Sequence, residues 1–437
     1  MTTQERQHLR VAETRATTLF EKDRPLLLDS GRALGPVTVA WEQYGELNAD
    51  RSNVVLVCHA LSGGAHAAGC HDGDSRPGWW SDFIGPGRAF DTSRDCVICT
   101  NVIGSCYGTT GPASIDPSTG HPYGPDFPVV TVWDMVRVQR ALLDHLGIPS
   151  LAAVAGGSMG GMQALAWPVL FPEFVRSVVA IATTDRHSPM QIAFNEVARR
   201  AVMADPAWRE GRYEPGDGPE AGLSVARMLG HITYLSDARM ERKFGRRGTA
   251  GHSFRLGDRD FEVERYLAHQ GDSFVRRFDA NALMYLTKAV DYFDMAERHG
   301  SVTGAVAHTR ARFLLLSFSS DWLYPPAQLE RLADALAAAG RDVEYHRLGS
   351  DEGHDAFLLD HEQQAPLIRR FLAASLHRER SLHAHREVAG ERADEHVVTA
   401  LGGSGEGHLR GFARPQQLGV SEQLRQDGGR DEVRVAR

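Results

Sequence analysis

Residues 153–167 read AVAGGSMGGMQALAW. Glycines stand on both sides of a single serine, in Gly156-Gly157-Ser158-Met159-Gly160. So many small residues suit a flexible hinge, a phosphate loop or the seat of a nucleophile. The flanks separate the three. LAAVA (151–155) is continuously apolar, as a strand buried on both faces is. MQALAWPVLF (162–171) has a helical pattern. A G-x-S-x-G between a buried strand and a helix is the context of a nucleophile elbow. The turn is too sharp for neighbouring Cβ atoms, which accounts for the glycines. The serine then stands at a helix N-terminus, where free N–H groups favour developing negative charge. A phosphate loop would require Gly-Lys-Ser/Thr, and none follows. The pentapeptide alone leaves open a plain turn with an N-capping serine.

Working outward, similar apolar runs recur. PLLLDSG (25–31) and VTVAWEQYG (37–45) read as strands split by a turn. NVVLVCHAL (53–61), CVICTNVIG (96–104), SVVAIATT (177–184), ARFLLLSFSSD (311–321) and VEYHRLGS (343–350) read as buried strands. Helical patterns lie between them. TVWDMVRVQRALLDHLG (131–147) ends on Gly147, and PAQLERLADALAAAG (326–340) begins with Pro and ends with Gly. Alternating strands and helices predict an α/β fold with a mainly parallel, doubly wound sheet. Residues 185–300 break the alternation: MQIAFNEVARRAVM, LSVARMLGHITYLSD and FDANALMYLTKAVDYFDMAERHG are helical patterns without a strand. They predict a helical lid inserted between two core parts, 25–184 and 301–377. Residues 1–24 are polar and read as a flexible N-terminus. Residues 378–437 hold one aromatic, Phe412, and read as a disordered tail.

Composition narrows the function. With 42% hydrophobic residues and a net charge of −8, the chain suits a soluble enzyme better than a nucleic-acid or membrane binder. No run of eighteen apolar residues predicts a spanning helix, and MTTQERQHLR has no apolar signal core, so a cytoplasmic location is expected. The five cysteines, Cys58, Cys70, Cys96, Cys99 and Cys106, read as reduced thiols. Cys96 and Cys99 form C-x-x-C inside a strand, where residues three apart point to opposite faces, so no metal is expected there.

A serine hydroxyl needs a base, and the base an orienting carboxylate. In this fold the chain order is Ser, Asp/Glu, His, each in a loop after a strand. Asp321 ends LLLSFSSD, and His354 lies in GSDEGHDAF after VEYHRLGS. Asp342 precedes its strand, His346 lies inside one and His361 falls in the next helix, so none of them fits. The oxyanion donors expected are the backbone N–H groups of Met159 and of Leu61, in the loop His59–Gly64.

Longer stretches carry a resemblance. CHALSGGAHAAG (58–69), PGWWSDFIGPG (77–87), QIAFNEVARRA (191–201), ARMLGHITYLSD (226–237), SFSSDWLYPP (317–326) and GHDAFLLD (353–360) are similar to the homoserine O-acyltransferases of the α/β-hydrolase superfamily. The acetyl-transferring members are the nearest, and the resemblance runs from about Pro25 to Leu372. It implies catalytic Ser158, Asp321 and His354, substrate-binding Arg227 and Tyr234, and Asp355 as the residue that holds the amine. A guanidinium grips an α-carboxylate bidentately, and a carboxylate beside the catalytic histidine holds an ammonium. The implied reaction moves acetyl from acetyl-CoA to the hydroxyl of L-homoserine through an acyl-serine, with no further cofactor, in methionine biosynthesis and in a homodimer. The succinyl-transferring members tend to carry an arginine after Asp-Trp. Leu323 stands there and cannot pair with a distal carboxylate, which favours acetyl. A succinyl donor, a serine acceptor and an esterase or thioesterase with the same triad remain open.

Overall fold

Eight strands form the central sheet: β1 (Arg15–Leu19), β2 (Val37–Tyr44), β3 (Val54–Cys58), β4 (Cys96–Thr100), β5 (Ala153–Gly157), β6 (Ser177–Ile181), β7 (Arg312–Phe318) and β8 (Val343–Leu348). Their spatial order is β1-β2-β4-β3-β5-β6-β7-β8. The computed structural model describes residues 12–73, 76–214, 216–248 and 252–375; the tail expected over 378–437 lies outside the described residues. From β4 to β8 the neighbours pair in parallel, while β1 and β2 add an antiparallel edge.

The N-terminal expectation needs correction. Residues 1–11 lie outside the described residues, but Arg15–Leu19 is a strand with Ala16 opposite Ala40 and Thr18 opposite Thr38. RATTL has too few apolar residues to show a period, because an edge strand buries little. Side chains support its pairing: Trp41 Nε1 donates to Thr17 Oγ1 at 3.0 Å, and the Arg15 guanidinium lies 5.1 Å from the centre of the Trp41 ring.

Continuous burial in the middle strands follows from cover on both faces. Alternate residues feed two cores. Leu56, Cys96, Ile98, Val154 and Phe313 enter one, and Val57, Val97, Cys99, Ala155 and Leu314 the other. The C-x-x-C is thus split between faces. Two helices hold the first core to the site, α1 (Val132–His145) and α2 (Met159–Leu170). A capping box of Thr131 and Asp134 starts α1. A buried polar thread then runs across. Trp167 Nε1 donates to Gln139 Oε1 (2.9 Å), Gln139 Nε2 to Gln163 Oε1 (2.7 Å) and Gln163 Nε2 to the His59 carbonyl (3.2 Å). Breaking one member would strand a buried amide at about 1–3 kcal/mol, so the thread fixes the loop after β3 relative to α2.

Between β6 and β7 come α3 (Pro189–Ala204), α4 (Glu220–Tyr234), α5 (Asp237–Lys243), α6 (Glu262–Val275) and α7 (Ala280–Asp291). Helix α4 packs on α3 and α6, and α7 on α3. After β7, α8 (Pro326–Ala338) returns the chain to β8. Among the described residues, no helix is long and apolar enough to cross a membrane.

Close approach of α2 to β3 depends on one missing side chain. A Cβ at Gly160 would lie 2.1 Å from the Cys58 carbonyl oxygen, a backbone atom that cannot turn aside. Gly160→Ala should therefore cost about 2–3 kcal/mol and lower the melting midpoint. An unchanged midpoint would mean that α2 does not need this contact.

Candidate active site

Register brings the ends of four strands together. Cys58 pairs with Thr100 and Gly156, and Gly157 with Ile181, so the chain leaves β3, β4, β5 and β6 at one edge. Ser158 leaves β5 with φ 57° and ψ −125°. A non-glycine residue there carries about 1–3 kcal/mol of strain. The neighbours enforce it: Ser158 N–H donates to Ile181 O (3.0 Å), and Thr183 Oγ1 donates to Ser158 O (2.8 Å). The side chain is projected away from the sheet at the start of α2.

Asp321 follows β7 by three residues and His354 follows β8 by six, as loop order predicted. Both are buried. His354 Nδ1 lies 2.8 Å from Asp321 Oδ2, and His354 Nε2 lies 2.9 Å from Ser158 Oγ. A carboxylate accepts only, so Nδ1 carries the proton and Nε2 is left to accept from the serine. Asp321 Oδ1 accepts the Tyr324 N–H at 2.8 Å. Chemically, this is a hydroxyl, a base and an orienter within proton-transfer reach.

The lid holds the loops that carry these groups. Trp322 Nε1 donates to Leu235 O at 3.0 Å. Arg239 and Arg242 pair with Glu352 at 2.9 and 2.7 Å, two residues before His354. Ser236 Oγ donates to the Asp351 carbonyl.

A cavity of about 90 Å³ opens onto Ser158, lined by Leu61, Met159, Tyr234, Leu323 and Tyr324 among others. Met159 is the first residue of α2, whose N–H has no intrahelical partner. Leu61 faces the same space from the β3 loop. Arg227 and Asp355 stand outside this lining. Arg227 reaches toward Ser62 Oγ (3.5 Å) and lies over the rings of Tyr234 (5.6 Å) and Phe274 (4.7 Å). Its Nε is buried without a hydrogen-bond partner. Burial pushes its guanidinium pKa down, while Tyr234 and Asp355 act the other way. Burial pushes the Asp355 carboxyl up, against the pull of His354 and Arg227. A partly buried cation and a partly buried carboxylate thus share the space beside His354. That pairing fits a zwitterion, whose carboxylate and ammonium would satisfy both.

Four residues at the cavity escaped the sequence reading: Tyr324, His187, Gln191 and Asn195. The Tyr324 ring stacks on His354, with centres 4.9 Å apart and planes at 27°. Its hydroxyl lies 2.8 Å from His187 Nε2, and His187 Nδ1 lies 3.2 Å from Asp291. Asn195 and Arg199 hold Asp291 at 2.7 Å each. Gln191 Nε2 donates to Leu323 O at 2.8 Å, fixing the residue that separates Trp322 from Tyr324. Nothing in the spacing of the last three marks them, since they reach the site from α3 and the segment just before it. Only the tyrosine beside Asp321 was within reach of sequence reasoning.

Comparison with known proteins agrees with this arrangement. A family model described as the alpha/beta hydrolase fold matches residues 53–361. The homoserine O-acetyltransferase of Methanosphaerula palustris is 56% identical over 367 residues, spanning 83% of this chain and 74% of the relative. The crystal structure of homoserine O-acetyltransferase from Bacillus anthracis superposes with a TM-score of 0.78 at 30% identity, covering 83% of this chain and 98% of that one. The structure of esterase E22 superposes with a TM-score of 0.77 at 32% identity, covering 83% and 100%.

Proposed function

The chain belongs to the homoserine O-acetyltransferase family of the α/β-hydrolase fold, and from that premise we propose that it moves acetyl from acetyl-CoA to the hydroxyl of L-homoserine by a ping-pong route. His354 takes the proton of Ser158 as Oγ attacks the thioester carbonyl. Backbone N–H groups of Met159 and Leu61 meet the developing oxyanion. The tetrahedral intermediate collapses, the C–S bond breaks and CoA leaves with the proton from His354. His354 then deprotonates the homoserine hydroxyl, which attacks the acyl-serine; the Ser158 Oγ–acyl bond breaks, Oγ takes the proton back from His354 and O-acetyl-L-homoserine leaves. The observation that carries the reading is the triad geometry with a partly buried cation and carboxylate beside it: Arg227 for the acceptor's carboxylate, Asp355 for its ammonium, with Tyr234 against Arg227. Acetyl is preferred to succinyl because Leu323, which lines the cavity, offers no cation for a distal carboxylate. The product would serve methionine biosynthesis, in a cytoplasmic homodimer.

A second reading, ester hydrolysis, is favoured by the likeness to esterase E22. One experiment separates the two: CoA release from acetyl-CoA and from succinyl-CoA, with homoserine, with serine and with neither. The transferase reading expects sustained CoA release only with acetyl-CoA and homoserine together. Release as fast without an acceptor would establish the hydrolase. Arg227→Gln should raise the homoserine KM by about 100-fold, the cost of removing one side of a desolvated charge pair, while acetylation of Ser158 continues. A KM within threefold of wild type would remove Arg227 from the acceptor site.

A further inference from the structure

We propose that Glu42, His66 and His71 form a binding site for one divalent transition-metal ion, apart from Ser158. Their ligand atoms lie within 4.8 Å of one another. Glu42 comes from β2, and the histidines from the loop after β3 that also carries Leu61. Glu42 is fully buried. A buried carboxylate requires a compensating cation or a full set of donors. Among the described residues, its ion-pair partners are the two histidines, which are cations only when protonated.

The geometry suits an ion shared by all three. His66 Nδ1 lies 3.0 Å from Glu42 Oε2, and His71 Nε2 lies 2.9 Å from Oε1. A carboxylate that chelates through both oxygens, with metal–ligand bonds of about 2.0–2.2 Å, puts each neighbouring imidazole nitrogen about 3 Å from one oxygen. The two rings sit 3.9 Å apart and are tilted by 31°. Outer lone pairs of the same oxygens are already engaged: Thr14 Oγ1 donates to Oε1 and Tyr44 Oη to Oε2, both at 2.7 Å. Such support orients metal-bound carboxylates. Two neutral imidazoles and a carboxylate select Zn²⁺ or a similar first-row divalent ion, with a further position left for water. The ion would tie the sheet's antiparallel edge to the oxyanion loop. The sequence expectation of no metal rested on cysteine spacing, and these ligands show no spacing motif, since Glu42 and His71 are 29 positions apart.

The competing reading is a hydrogen-bonded clamp in which imidazole protons stand where the ion would. The test uses the full chain without a tag, stripped with a chelator and dialysed against Zn²⁺ alone at neutral pH. Bound metal is then counted and the melting midpoint recorded. Wild type should retain one equivalent and melt higher with it. His71→Gln, a partly exposed position, should weaken retention by about 100-fold or more and lose the Zn²⁺-dependent rise. Glu42→Gln should do the same. Wild type that retains no ion, or variants that retain the same equivalent, would overturn the site.

Discussion

Ser158→Ala should lower turnover by about 10⁵- to 10⁶-fold, the loss seen when a triad nucleophile is removed from a site that keeps its oxyanion donors. The same variant should fold normally. Ser158 Oγ reaches His354 and the Tyr324 hydroxyl, both of which are held by other partners, and its backbone contacts to Ile181 and Thr183 do not involve the side chain. Alanine also removes nothing that holds φ at 57°, since the strain is imposed by neighbours. Mixed with acetyl-CoA and no acceptor, wild type should show one rapid equivalent of CoA and an acetyl adduct on the peptide that holds Ser158. The variant should show neither. A variant that still turns over within tenfold of wild type would end the acyl-serine route and leave direct transfer in a ternary complex.

How much of this was legible depends on whether a signal is local. The elbow was, because a buried strand, a forced turn and a helix start lie in fifteen consecutive residues, 153–167. Asp321 and His354 were also legible, since a doubly wound sheet puts successive loops at one edge and only two candidates sat at the right ends of strands. Asp342 fell as expected at the other end, paired with Arg312 at 3.0 Å. The strand Arg15–Leu19 was not legible, because an exposed edge strand needs no apolar period. Nor were His187, Asp291 and Asn195: His187 meets Tyr324, with Asp291 and then Asn195 behind it, only once the lid has folded back on the sheet. Glu42, His66 and His71 fall in the same class: their proximity is set by how β2 lies beside the loop after β3. Long-range placement by an insertion leaves no period to read.

The lid explains why a hydrolase fold can run a transfer. On the proposed route, water and homoserine would compete for the same acyl-serine, and water is far more abundant. Selectivity then depends on positioning, which raises the effective concentration of the bound hydroxyl, and on a narrow approach, which limits water. Helices α3, α4 and α7 supply most of the cavity wall, and α4 carries both Arg227 and Tyr234. On the proposed acceptor site, acceptor binding and closure of the acyl cavity would reside on one element.

Asp321→Asn should lower kcat by about 10⁴-fold with little loss of stability. The reason lies in which atoms face which partners. Asp321 accepts twice, from His354 Nδ1–H and from the Tyr324 backbone N–H, both at 2.8 Å. Asparagine has one oxygen and one NH₂. Tyr324 N–H can only donate, so it captures the amide oxygen. The NH₂ is then turned toward His354 Nδ1, which must accept. The imidazole proton moves to Nε2, the nitrogen facing Ser158 Oγ at 2.9 Å, and the base can no longer take the serine's proton. Both hydrogen bonds survive, the one to His354 with reversed polarity, so the fold is spared while the chemistry is lost. Asp321→Ala is the useful contrast. It strands the Tyr324 N–H and frees the imidazole to sample both tautomers, so it should be less stable than Asp321→Asn yet no less active. If Asp321→Asn kept more than a tenth of wild-type kcat, the carboxylate would not be setting the tautomer, and His354 would owe its orientation to the stacked ring of Tyr324 instead.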